Sequence, residues 1–254
     1  MSLCLSQIFL GCLPENQSQW VEFSNKSRAI YKSLKQTSPW NQFFQDGELK
    51  QTITQDIVRT HPDQQFFRQQ EIQNSMLDIL FCYAKEHPDL GYRQGMHELL
   101  APLLFVLHAE CRDDFYLSLS SLTYISLELK VVMDPEYIEA DAFALFSELM
   151  EGMQNFYLSA SLEADLHKTS AIARKLDYIH DLLLKRADEQ LYYRLQDLGI
   201  PPQTYGIRWI RLLFGREFYL PSVLQLWDAL FAEGVSLALM DYIFVVMLIQ
   251  IRDT

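Results

Sequence analysis

An all-α fold is predicted for this chain of 254 residues on three observations. Apolar residues recur at spacings of three and four, the period of a helix face. Alternating β-branched runs are few and no Asn-Gly hairpin signal occurs. Glycine and proline fall mainly between the apolar stretches, at Gly11/Pro14, Pro39, Gly47, Pro62, Pro88/Gly91, Pro135, Gly152, Gly199/Pro201/Pro202, Gly215, Pro221 and Gly234. Those breaks imply about ten to twelve helices joined by short connections.

Taken in order, the chain opens on an amphipathic segment, Ser2–Leu13, without a cap. Leu49, Ile53 and Ile57 mark a short helix, and Ile72, Met76, Ile79 and Tyr83 a longer one. Met96–Leu107 is a strongly apolar helix following the break His87-Pro-Asp-Leu-Gly91. Asp134, Glu136, Glu139 and Asp141 lack the glycine and spacing of a calcium loop, and read as a helix start with a solvated face. Gln154–His167 is the weakest helical segment and reads equally as a loop. Ile172, Leu176, Ile179 and Leu183 again step by four, three and four. Tyr205–Gly234 holds Trp209 and Trp227 at apolar helical positions, which is a core pattern. Tyr242–Ile249 is the longest strongly apolar run, far short of the ~20 residues a membrane span needs.

No fixed-period repeat suggests a solenoid, and no linker or charge block divides the chain, so a single unit is expected over 1–254. Within it, 1–150 carries the polar motifs and 151–254 the Trp-rich helices. The sequence ends in Arg252-Asp253-Thr254 without a stop signal, and a C-terminally truncated domain is expected.

Charge and cysteine content exclude several function classes. A net charge of −12 is wrong for a nucleic-acid binder, which needs a basic face. Cys4, Cys12, Cys82 and Cys111 show neither C-x-x-C nor metal spacing, and read as buried thiols in a reducing compartment. No signal-peptide pattern opens the chain. His97-Glu98 lacks the second histidine of a zinc-protease helix, and no phosphate-binding glycine loop occurs.

Two short segments hold the remaining chemistry. In Ile53–Pro62, Asp56 lies at the edge of the apolar stripe and Arg59 roughly 60° further round. Spaced i, i+3, the two can pair, with Arg59 in the last helical turn because Pro62 disfavours helix at His61. In Tyr92–Met96, Gln94 sits near a helix N-terminus, among N–H groups suited to anions, and Gly95 leaves room for a partner's close approach. Each segment also has a plain reading, a surface ion pair and a loop-to-helix junction. Arg208, Arg211 and Arg216 form the densest basic group. They could face phosphate, or Arg211 or Arg216 could pair with Glu217 or Asp228.

Together these segments resemble the TBC domain, the all-helical module of Rab GTPase-activating proteins. Its first motif has the form I-x-x-D-x-x-R-T-x-P, its second Y-x-Q-G, and its third ends near W-D-x-L-F-x-x-G. All three occur here in order. Gln94–Pro102 and Leu213–Phe218 are similar to one branch in particular, that of the fifth family member, linked to endosomal trafficking, the retromer coat and autophagy. The chain departs from the family pattern at Leu5, where a tryptophan is usual, at His97, where Asn or Ser is common, and at Gln225, where many members carry arginine.

The resemblance implies an activator that supplies catalytic groups in trans and turns over no substrate alone. Arg59 would be an arginine finger on the γ-phosphate charge, and Gln94 would position the attacking water. Asp56 would orient Arg59, while Thr60, Tyr92 and Gly95 would shape the two loops. Arg93, Arg208, Arg211 and Arg216 would be candidate partner-binding cations. No cofactor or metal would be its own, since GTP and Mg2+ belong to the partner, a Rab-family GTPase in its GTP form. Retromer is a further implied partner, with no nucleic acid and no membrane insertion. The expected location is cytoplasmic, with recruitment to endosomal membranes through partners. The alternative from the same fold is a non-catalytic module that docks on a Rab or on a coat complex.

Overall fold

The computed structural model describes residue 8 and residues 10–36, 43–112, 126–158, 170–234 and 236–253. Among these residues every regular element is helical. Cys4, Leu5 and most of the opening amphipathic segment lie outside them. The chain divides into two compact units, Met1–Glu151 and Gly152–Thr254.

The first unit contains α1 (Trp20–Gln36), α2 (Phe43–Ile57), α3 (Gln70–Glu86), α4 (Met96–Arg112), α5 (Leu127–Val132) and most of α6 (Ile138–Tyr157). Ile72, Met76, Ile79 and Tyr83 of α3 are all buried, as their spacing predicts. In α4, Leu99, Leu100, Ala101, Leu103, Leu104 and Leu107 are buried as well. A helix apolar on all sides belongs at the centre of its unit, and α2 and α3 both pack on α4. Because α2 also packs on α3, its C-terminal end is carried to the start of α4.

Two of the expected breaks do not occur. Helix α2 runs through Gly47 and α6 through Gly152. An interior glycine costs a helix only about 1 kcal/mol relative to alanine, and the apolar face around each outweighs that. Residues 159–167 of the segment Gln154–His167 lie outside the described residues, and α6 covers the part up to Tyr157.

The acidic group before and within α6 is only partly a solvated face. Asp134 accepts from the Glu136 N–H at 3.0 Å, a helix-start contact. Asp141, however, is buried against Arg28, whose Nε and Nη2 donate to its two oxygens at 2.8 and 2.7 Å. Arg28 also donates to the Val131 carbonyl and stacks on the Tyr137 ring. Glu139 accepts from Tyr31 Oη and Lys35 Nζ. One turn of α6 thus faces α1, and its carboxylates are pairing groups.

The second unit contains α7 (Ala171–Asp177), α8 (Glu189–Asp197), α9 (Gln203–Arg211), α10 (Leu220–Ala232) and α11 (Leu239–Gln250). Beyond α7 the chain continues as a π-helical segment, Tyr178–Leu184, then a short α turn, Lys185–Ala187. The wider turn adds a residue, and the buried series becomes Ile172, Leu176, Ile179, Leu184. Leu184 therefore takes the core position that regular α spacing assigns to Leu183.

Both tryptophans are core residues, as their pattern predicts. Trp227 Nε1 donates to the Leu213 carbonyl at 2.9 Å. That bond pins a turn in which Leu213 and Phe214 adopt φ of 44° and 61°, a left-handed conformation that bulky residues rarely hold. Gly206 on α9 is also dictated by packing. A Cβ there would meet Leu176 Cδ2 at 2.3 Å and Phe244 Cζ at 2.8 Å. Gly206→Ala should destabilise by about 1–3 kcal/mol through overpacking, net of its better helix propensity. Urea denaturation checks this, and an unchanged midpoint would mean the helices can part at no cost.

Candidate functional site

Helix α2 ends at Ile57, and the chain continues in a tighter turn, with Arg59 N–H bonded to Asp56 O at 3.1 Å and Thr60 N–H to Ile57 O at 2.9 Å. Arg59 therefore stands just past the helix instead of inside its last turn. His61 then takes φ of 39°, consistent with the exclusion of right-handed helix ahead of Pro62.

Asp56 is the hub. Its side chain is 6% exposed while that of Arg59 is 63% exposed. Asp56 Oδ1 accepts from Arg59 Nη2, and Arg59 Nε donates to the Gln55 carbonyl at 3.1 Å. The other oxygen, Oδ2, accepts from the Tyr92 hydroxyl at 2.8 Å. A single buried carboxylate thus fastens the Arg59 turn to the loop that carries Gln94. Thr60 is buried, with Oγ1 donating to the Asp56 carbonyl.

Gln94 is exposed, one residue before Gly95, and α4 starts at Met96. Gly95 is buried and has φ of 105°. Glycine is favoured there by backbone conformation. Arg93 is half-buried; its backbone N–H donates to Met96 Sδ, and its Nε is buried without a hydrogen-bond partner. Beside Arg59, an open hollow of about 600 Å³ is lined by Gln51, Thr54, Gln55 and Val58.

Three residues that the motif reading left without a role join this site. His97 is buried, with Nδ1 3.0 Å from the Tyr92 hydroxyl and 3.8 Å from Asp56 Oδ2. Its Nε2 lies 3.5 Å from Glu98 Oε1, and Glu98 Oε2 lies 3.9 Å from His61 Nε2. The available signal was His97-Glu98 itself, two polar residues ahead of the apolar run Leu99–Leu107.

The basic trio sits in the second unit. Arg208 pairs with Glu217, through Nε at 2.8 Å and Nη2 at 3.1 Å. On α9, Arg208 is the residue that stands on the exposed face opposite Glu217. Arg211 Nε instead donates to the Phe156 carbonyl at 2.7 Å, and its guanidinium covers the Tyr157 ring. Arg216 is exposed. No described helix is long and apolar enough to cross a membrane.

A family model, the Rab-GTPase-TBC domain, matches residues 7–253. The chain is 43% identical to TBC1 domain family member 5 of Homo sapiens, over 99% of this chain and 37% of that protein. It is 31% identical to GTPase-activating protein gyp1 of Schizosaccharomyces pombe (strain 972 / ATCC 24843), over 89% of this chain and 42% of that protein. The chain thus spans less than half the length of these curated relatives. The solved Ypt/Rab-GAP domain of Gyp1p superposes with a TM-score of 0.80, covering 99% of this chain and 75% of that one, at 24% identity. That likeness fixes the all-helical fold.

Proposed function

The chain belongs to the Rab-GTPase-TBC domain family, and from that premise we propose that it accelerates GTP hydrolysis by a Rab-type GTPase, with Arg59 and Gln94 supplied in trans. One observation carries the proposal. The two oxygens of buried Asp56 hold Arg59 and Tyr92 respectively, so both motif loops are anchored on one carboxylate. Gln94 is two residues from Tyr92, at most roughly 7 Å of chain, and both it and Arg59 are exposed.

Each group has a defined task. The Arg59 guanidinium neutralises charge that develops on the γ-phosphate oxygens, and the Gln94 carboxamide orients the attacking water. Asp56 keeps the guanidinium from sampling many rotamers before the partner arrives, which lowers the ordering cost of docking. Thr60 and Gly95 hold the backbone of the two turns, and Arg93 lies beside Gln94 as a cation for the partner. GTP and Mg2+ come with the GTP-bound Rab. The branch resemblance extends the proposal to endosomal trafficking, with recruitment from the cytoplasm through partners and retromer as one of them.

The test is single-turnover hydrolysis by a panel of GTP-loaded Rab GTPases, with and without the protein, beside pull-downs of the GTP- and GDP-loaded forms. Acceleration on at least one Rab is expected. Retention of the GTP form without acceleration on any member would instead support the docking-module reading.

A further inference from the structure

We infer that His97 is a positioning residue of the two-finger site: its Nδ1–H holds the Tyr92 hydroxyl, and through it the Gln94 loop, in register with Asp56 and Arg59. The inference rests on the function proposed above and adds to it a residue that touches neither partner nor phosphate.

Donor arithmetic carries the argument. The Tyr92 hydroxyl has one proton, and the 2.8 Å bond to Asp56 Oδ2 uses it, because a carboxylate can only accept. The 3.0 Å contact between that hydroxyl and His97 Nδ1 therefore needs its proton from the imidazole. Nδ1–H must donate, and the tautomer is fixed by the neighbours. Asp56 Oδ2 lies 3.8 Å from the same Nδ1, too far for a hydrogen bond, so the Tyr92 hydroxyl is the acceptor.

The ring is also enclosed. Its side chain is 3% exposed, and Nε2 lies 3.5 Å from Glu98 Oε1, a contact that becomes a hydrogen bond only when Nε2 or the Glu98 carboxyl carries a proton as well. With Glu98 Oε2 3.9 Å from His61 Nε2, the polar series Arg59, Asp56, Tyr92, His97, Glu98, His61 leaves the Arg59 turn and returns to it two residues later. A histidine that only filled space would have no need of a specified proton on Nδ1.

The test uses substitutions of similar shape. Asn places an amide N–H near the Nδ1 position, whereas Leu fills the space without a donor. His97→Leu should lower the maximal stimulated rate by about 10- to 100-fold, the scale of a small misplacement of a catalytic group. The affinity for the GTP-loaded Rab should stay within about threefold, since ground-state binding is untouched. His97→Asn should recover most of the rate. Tyr92→Phe should cost as much as His97→Leu, and combining the two should cost no more than either alone.

Additive losses in the double variant, or Asn and Leu behaving alike, would overturn the inference. A long-range ¹H–¹⁵N spectrum of the free protein reads the tautomer directly, and a proton on Nε2 alone would also overturn it. If the wild-type protein accelerates no Rab, the proposed function fails. The spectrum and the amide-exchange protection of 92–95 in His97→Leu then still decide whether His97 positions the loop.

Discussion

Arg59→Ala is expected to lower the maximal stimulated rate of GTP hydrolysis by about 10³- to 10⁵-fold, roughly 4–7 kcal/mol of barrier. The helical circular dichroism signal should not change. That separation follows from where Arg59 sits. Its side chain is 63% exposed and hydrogen-bonds to the Asp56 carboxylate and the Gln55 carbonyl, so its removal deletes a charge from the surface and little from the core. Arg59→Lys should recover only a minor part. An ammonium lacks the planar fork that can hold Asp56 with one nitrogen and a phosphate oxygen with others. Gln94→Ala should cost about 10²- to 10³-fold, the scale of one lost polar group at a transition state. Affinity for the GTP-loaded Rab should change far less than rate in both variants, because the groups act where charge develops. Single-turnover measurements at saturating protein separate the two quantities.

Asp141→Ala is expected to destabilise the first unit by about 3–5 kcal/mol, measured by denaturant unfolding. The cause is the charge it leaves behind. Arg28 and Asp141 are 5% and 7% exposed, so Arg28 would stay buried with only the Val131 and Val132 carbonyls to receive its protons. Burial pushes the Asp141 carboxyl above its ordinary range while Arg28 pulls it down, and the net direction is upward. Desolvation thus outweighs attraction, and the intact pair contributes little by itself. A double replacement, Arg28→Met with Asp141→Leu, should accordingly be far less damaging than Asp141→Ala alone. If the double variant is as unstable as the single one, the charge left on Arg28 is not the cause of the loss, and the desolvation argument is wrong.

Much of the helical frame was legible because apolar periodicity reports burial directly. Ile72, Met76, Ile79 and Tyr83 are buried where their spacing puts them. Periodicity fails where the helix changes pitch, as in Tyr178–Leu184, since a π turn shifts the core position from Leu183 to Leu184 without a residue that announces it. It also says nothing about a polar side chain's partner. Asp141 was read as solvated because a carboxylate in sequence looks the same whether water or Arg28 faces it. Arg208 and Arg211 changed roles for a similar reason, because the turn at Leu212–Glu217 decides which arginine meets Glu217.

The candidate site was legible to a different depth. The Asp56–Arg59 pairing follows from i, i+3 spacing alone. That Asp56 also binds Tyr92, 36 positions away, cannot be read from spacing, because it depends on how α2 packs against α4. The left-handed φ of Gly95 is likewise invisible in the sequence. In sequence His97 stands out as half of a failed zinc-protease motif and as a departure from the family pattern, neither of which gives it a role. Its meaning appears once the Tyr92 proton has been counted.

The claim on which all of this depends is that the two fingers serve one phosphate. The most direct measurement is a structure of the protein bound to the best-accelerated Rab, loaded with GDP and a metal fluoride in place of the γ-phosphate. The expected result places the Arg59 guanidinium and the Gln94 carboxamide both within about 3 Å of the fluoride group or its in-line water. A complex in which either side chain points away, with the Rab's own glutamine holding that water, would contradict it.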